Sequence, residues 1–366
     1  MSCNFKRLKK KFIMKNFKLN SLVILSFVII ALFSCHQDNT KGPLIPENGI
    51  FPDSVWVEYT ALQGISYEEG VSRRDPSDII KVGDTYYVWY TKIPLTTSGE
   101  RTRLYNSGYY GTIWNASSDD GLNWTEKGMA LGPGPDGEFD SHAVFTPNIL
   151  YAKGKYYLFY TAVQPTPGNP EGIFENNSTN DYTAIGIAVS KTPDGPFSRL
   201  SKEPALSVSE NPDSFDSYRV DDAVLLYRDK KFWFYYKGRS LSDGQAGPAH
   251  TQMGVAFADN PEGPYIKKGS PILDRSHEVL IWNHLEGVAA LASISSTFEF
   301  SRDGLDFDTD RQSLKIKNRP SAPGLYRPHL TNHKEKTLPG WGISMGVKNG
   351  HIYLQKFEFK SRISEL

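Results

Sequence analysis

Cysteine is nearly missing. The 366-residue chain holds only Cys3 and Cys35, both ahead of the expected folded region, so no disulfide framework exists and stability has to come from apolar packing. An excess of charge is missing too. Lys+Arg and Asp+Glu both number 41, which leaves no basic field to collect phosphates and argues against nucleic acid as a partner. Beyond residue 70 no amphipathic run is long enough for a substantial helix. Serine-nucleophile and phosphate-loop signatures are absent. No compact His/Cys/Asp cluster has metal-ligand spacing, so no metal ligand is assigned and no cofactor is required, with a structural divalent cation at a central channel left open.

One apolar run exists, from Leu22 to Phe33, behind lysines between positions 6 and 18. It is short for a membrane-spanning helix and is followed at once by Ser34-Cys35. Residues 1–35 therefore read as an export signal of lipoprotein type with Cys35 as the mature first residue. Leu32-Phe33-Ser34-Cys35 resembles a bacterial lipobox, although Phe33 departs from its commonest form and plain secretion is the alternative. The expected location is the periplasm or the outer membrane, with lipid as the only membrane contact. Residues 36–53 are polar with Pro and Gly and suit a flexible tether. Residues 54–70 read as a short N-terminal extension, and 71–366 as the main domain.

What the chain does have is aromatic side chains, 20 Tyr, 20 Phe and 7 Trp, with 31 Gly and 23 Pro to supply turns. That is an all-β profile. Three segments restate one pattern: Asp75 to Tyr90, Thr146 to Tyr160, and Asp222 to Tyr236. Each sets an Asp or Thr before a small residue or Pro, an apolar run, a turn and an aromatic strand, and so reads as a hairpin. Their aromatic strands begin at Tyr86, Tyr156 and Phe232, a period that fits one four-stranded sheet with long loops. A second hairpin recurs later in each unit, at Ser117–Trp124, Ser190–Phe197, Ala258–Tyr265 and Ser301–Phe307. Four units are explicit. A fifth is expected from Tyr326–Leu330 through Gly340–Met345 to Ile352–Phe359. The expected fold is a five-bladed β-propeller with a short N-terminal extension.

In a propeller the innermost strand of each blade faces the central channel, so Asp75, Thr146 and Asp222, at equivalent places in three blades, converge on one axial pocket. Carboxylates facing one another across a pocket meet the requirement for acid/base hydrolysis of a glycosidic bond. The bland reading stands beside this one, because Asp-Pro is a common turn starter and Asp78 or Asp221 could simply cap backbone amides. Arg73-Arg74 just upstream can hold a pocket carboxylate ionised and bind a hydroxyl-rich substrate, or be an exposed charge pair. His142 and Trp282 are candidates for sugar contact, as are Trp114 and Trp341, each weighed against a structural role.

Arg73-Arg74-Asp75-Pro76-Ser77-Asp78, then Phe139 to Asn148, then Val220-Asp221-Asp222-Ala223, then Ser276-His277-Glu278-Val279, resemble glycoside hydrolase family 117. The likeness runs from about Val71 to Phe359. Characterised members of that family are 3,6-anhydro-α-L-galactosidases, or neoagarobiose hydrolases. The resemblance implies that Asp75 is the general base, Asp222 and Glu278 are further pocket carboxylates, and His277 is the general acid. It also implies a homodimer that exchanges an N-terminal segment, here within residues 54–70.

An imidazolium near its ordinary pKa of ~6.5 is a reasonable acid. Neighbours on a strand point to opposite faces, however, so His277 and Glu278 share a pocket only if the stretch is a loop or bulge. His284 and Glu286 have the spacing that keeps both on one face and are the alternative pair. The resulting reading is an exo-acting enzyme that releases 3,6-anhydro-L-galactose from the non-reducing end of neoagaro-oligosaccharides. Its inferred course is inverting, with base and acid about 6.5–9.5 Å apart. The alternatives are a propeller glycosidase for an arabinoside, galactoside or sulfated marine sugar, and a non-catalytic sugar-binding propeller.

Overall fold

In a computed structural model, described for residues 50–94, 110–165, 181–243, 249–307, 314–328 and 338–362, the strands form five separate antiparallel sheets set in a ring. The expected export signal and most of the expected tether lie outside the described residues. Blade 1 begins with β2 (Val71–Arg74) and β3 (Ile80–Val82), two halves of one interrupted inner strand, both paired to β4 (Thr85–Pro94). It continues outward through β5 (Thr112–Ser118) and β6 (Thr125–Leu131). Blade 2 runs outward from β7 (Ala143–Ala152) through β8 (Lys155–Pro165) and β9 (Asp181–Ser190) to β10 (Ser198–Arg199). Blade 3 does the same with β11 (Arg219–Arg228), β12 (Lys231–Arg239), β13 (Gln252–Ala258) and β14 (Ile266–Lys267). Blade 4 is β15 (Ile281–His284), β16 (Gly287–Ala292), β17 (Thr297–Ser301) and β18 (Leu314–Lys315).

Blade 5 differs from expectation at both edges. Its inner strand is β19 (Ser321–Leu325), upstream of the expected Tyr326, followed by β20 (Trp341–Lys348) and β21 (His351–Arg362). Its outer strand is β1 (Ser54–Ala61), paired with β21 from Ser54↔Arg362 to Ala61↔Gln355. Much of the segment read as an extension outside the propeller is thus a propeller strand, because its apolar Val55 and Val57 are buried between blades 4 and 5.

The core is divided along the same lines. Five apolar clusters fill the five interfaces between adjacent blades, each built from faces of neighbouring sheets. Aromatic strands supply most of the volume, with Trp89, Tyr157, Phe159, Phe234 and Phe298 fully buried, and each such side chain contributes about 1.5–3 kcal/mol or more by removal from water. Trp282 belongs to this group, edge-on to Phe298 at 5.2 Å, so it is core and not a sugar platform.

A polar repeat is set into the packing. Tyr160 donates to Asp140, which also meets Arg199 at 2.6 Å; Tyr236 donates to Asp216, which meets Lys267 at 2.6 Å. Phe139-Asp140-Ser141 and Phe215-Asp216-Ser217 are one motif, and each Phe stacks on its Tyr. In blade 1 the corresponding Tyr90 donates to Glu126 at 2.6 Å. These tyrosines lie opposite the interruption of the inner strand and brace it from behind.

Candidate active site

The interruption is what builds the site. In β7 the register slips between Phe145 and Asn148, in β11 between Asp221 and Val224, and in β19 between Ser321 and Gly324, while in blade 1 it separates β2 from β3. At each slip one non-glycine residue takes positive φ: Asp75 at 49°, Thr146 at 42°, Asp222 at 55° and Ala322 at 39°. Such a conformation costs of order 1–3 kcal/mol and persists only where neighbours impose it. Here the neighbours are threonines. Thr91 Oγ1 accepts the N–H of Thr146 at 3.0 Å, and Thr161 Oγ1 accepts the N–H of Asp222 at 3.3 Å. Blades 1 and 2 thus each fix the strained residue of the next blade.

The slips face inward around a small cavity that takes lining from all five blades, including Asp75, Thr146, Asp222, Glu278 and Ala322. Glu278 reaches it from the bend before β15, off any strand, its N–H held by Ser293 Oγ at 2.9 Å. The concern about adjacent residues on a strand therefore does not arise for His277 and Glu278.

Each lining carboxylate has a cation. Asp75, only 7 % exposed, meets Arg74 at 2.7 Å; Asp222 meets Lys237 at 2.8 Å; Glu278 meets Arg319 at 2.9 Å; Asp78 meets Arg327 at 2.6 Å. Lys237 is shared, since Asp221 lies 2.9 Å from the same ammonium. Burial pushes Asp222 up from 3.8 to about 7; Lys237 opposes, and Asp221 and Asp75 add to the rise. Burial works against the Lys237 charge, but Asp221 and Asp222 more than offset it and hold its pKa above the usual value. The Lys237 charge and then burial push His277 down from 6.5 to about 4, with Glu278 and Asp221 opposing and Arg239 adding. His277, which does not line the cavity itself, is therefore neutral near pH 7, and Asp222 is partly protonated there.

The sequence candidates divide. Asp75, Asp222, Glu278 and Thr146 line the cavity, and Arg74 lies on Asp75. Arg73 does not join them: its guanidinium is held by Glu68 at 2.6 Å and Glu126 at 3.0 Å on the opposite side of β2, as strand alternation requires. His142 stands at the start of β7, edge-on to Tyr110 at 5.9 Å. His284 and Glu286 are at the wrong end of their hairpin. His284 lies 2.7 Å from the Ile50 carbonyl and stacks on Phe51, and Glu286 is exposed in the turn after β15. Among the described residues no group of three or more His, Cys, Asp or Glu could hold a metal ion.

Sequence reasoning missed Lys237, Arg319 and Ala322. Lys237 had a signal, because it follows Phe232 to Tyr236 where Thr91 and Thr161 follow the matching aromatic runs. Ala322-Pro323 likewise echoes Asp75-Pro76 and Thr146-Pro147. Nothing local marked Arg319.

A family model, glycosyl hydrolases family 43, matches residues 70–224, a span that contains Asp75 and Asp222 but stops short of Glu278. No curated protein matches the chain. Among solved structures, a family 117 glycoside hydrolase produced by the marine bacterium Zobellia galactanivorans is similar at TM-score 0.70 and 24% identity, over 84% of this chain and 90% of that one. Fructan 1-exohydrolase IIa from Cichorium intybus, in complex with 1-kestose, is similar at TM-score 0.54 and 13% identity, over 81% of this chain and 57% of that one. The chain has the propeller fold of glycoside hydrolases. In that propeller the cavity lies on the ring axis, where side chains far apart in the chain share one small space.

Proposed function

We propose that the protein hydrolyses a glycosidic bond at the end of an oligosaccharide. The observation that carries this reading is the meeting of Asp75, Asp222 and Glu278, from three different blades, in one cavity. Asp75, paired with Arg74 at 2.7 Å, is assigned as the general base that takes a proton from an attacking water. Asp222, whose carboxyl burial raises to about 7, is partly protonated near neutrality and is suited to give its proton to the leaving oxygen. His277, adjacent to the lining Glu278, is kept out of the acid role that the family resemblance implies, because the Lys237 charge and burial hold its pKa down.

The finer reading is release of terminal 3,6-anhydro-L-galactose from neoagaro-oligosaccharides, with inversion by single displacement. The ordered motifs around Asp75, Asp222 and Glu278 support it, together with the structural likeness to a family 117 glycoside hydrolase. A homodimer and a lipid-anchored periplasmic or outer-membrane location belong to the same proposal. The family 43 match favours a second reading, a different glycoside such as an arabinoside or galactoside. Incubation with agar, carrageenan, porphyran and arabinan oligosaccharides, with product analysis, decides between them. Release of anhydrogalactose alone supports the first reading, release of another monosaccharide supports the second, and no release from any of them rejects both.

A further inference from the structure

The aromatic run on the second strand of blades 1, 2 and 3 ends at Thr91, Thr161 and Lys237 respectively. In two of these blades the threonine hydroxyl holds the backbone of the next blade's strained residue. Blade 4 asks no such service of blade 3, since its inner strand β15 has no register slip and the N–H of Glu278 is held by Ser293 of its own blade. Position 237 is thereby released from the repeat's structural duty. A lysine there is only 8 % exposed, a costly place for an ammonium unless carboxylates meet it. Two do: Lys237 lies directly across the ladder from Asp221 and within 2.9 Å of both Asp221 and Asp222.

We propose that Lys237 is a positioning residue of the axial site, an ammonium that bridges Asp221 and Asp222, aims the Asp222 carboxyl into the cavity and competes with a proton for it. This inference rests on the hydrolase reading for its purpose, but not for its test. The groups that face this carboxyl pair are Arg219 and Asp221 on β11, Lys237 and Arg239 on β12, His277 and Glu278 with Arg319 from blades 4 and 5, and Asp75 with Arg74 from blade 1. Only Lys237 is within ion-pair distance of both Asp221 and Asp222 among the described residues. Without it the pair shares a buried space with Asp75 and gains a proton more readily.

The test is a titration of the full chain carrying [13Cγ]aspartate, with D222N used to assign the Asp222 resonance. In K237M and K237T the Asp222 midpoint is expected to rise by about 1–3 pH units, the usual influence of an adjacent cation, whereas K237R should return it toward the wild-type value. K237T carries the residue that the repeat holds in two other blades, so a folded protein is in hand even where K237M is unstable. An unchanged midpoint in both K237T and K237R overturns the proposal, as does an equal rise in both. If a substrate is found, the upper limb of the kcat/KM profile should move with the midpoint. If no sugar is hydrolysed by the wild type, the function reading fails while the NMR midpoints still decide the role of Lys237.

Discussion

Asp78 and Arg327 lie 249 positions apart in the chain and form a buried ion pair at 2.6 Å. The other Asp78 oxygen accepts the Leu325 N–H at 2.9 Å, and Arg327 donates onward to the Ile281 carbonyl. One pair thus ties blade 1 to blades 5 and 4 at the wall of the axial cavity, which Asp78 helps to line. Removing the cation alone leaves a buried carboxylate without its counter-charge. R327M is expected to cost about 3–5 kcal/mol in chemical denaturation, and the double variant D78N/R327M to lose less than R327M does.

The same junction makes Gly324 irreplaceable. A Cβ there would lie 1.8 Å from the Ser77 carbonyl oxygen, which is backbone and cannot turn aside. Gly324→Ala should destabilise by about 1–3 kcal/mol or more and lower the melting temperature by several degrees, whereas the same change at the open Gly340 should have little effect.

For the chemistry, Asp75→Asn should lower kcat/KM by about 10²–10⁴-fold while sugar binding persists, measured by turnover and by calorimetry on one preparation. Unaltered turnover would sink the base assignment. A sugar-binding propeller without catalysis is recognised by binding in both proteins and turnover in neither.

Proton donation separates Asp222 from His277. With Asp222 as donor, activity should fall as pH rises through about 7, D222N should lose most activity and that limb, and H277Q should keep the limb at reduced rate. If His277 donated, its position near 4 would place the decline in acid, and H277Q would abolish the limb.

Stability offers a check that needs no substrate. His277 has a folded pKa of about 4 against 6.5 unfolded, so its contribution is fully present above 6.5 and is lost as pH falls through 4. H277Q should therefore show a shallower loss of melting temperature than the wild type over that window, by roughly a few degrees. Parallel curves would contradict the burial and charge argument.

The blades that repeat cleanly were readable from the chain, and those that do not were misjudged. Asp75, Thr146 and Asp222 announce themselves because aromatic hairpins follow each at the same offset. Ala322 has no aromatic hairpin behind it, so the expected start of blade 5 fell downstream at Tyr326. Arg73 and Arg74 look alike in sequence, yet alternation along β2 sends one guanidinium to Glu126 and the other to Asp75. His284 and Glu286 had suitable spacing, but spacing says nothing about which end of a hairpin meets the axis. Long-range partners such as Arg319 for Glu278 are set by how sheets are stacked, which local pattern does not encode.

Pairing of β1 with β21 has a bearing on biogenesis. Residues 54–61 pair along their whole length with residues 355–362, and otherwise hydrogen-bond beyond their own strand only through a short bridge at Lys317 and the Tyr59 contact to Asn318 among the described residues. Until residues 355–362 are made, the fifth blade lacks the strand that joins β1 to the rest of its sheet, and the cluster around Val55 and Val57 lacks Phe357 and Phe359. Chains cut short before residue 355 should accumulate as chaperone-bound or degraded material instead of as a smaller working enzyme.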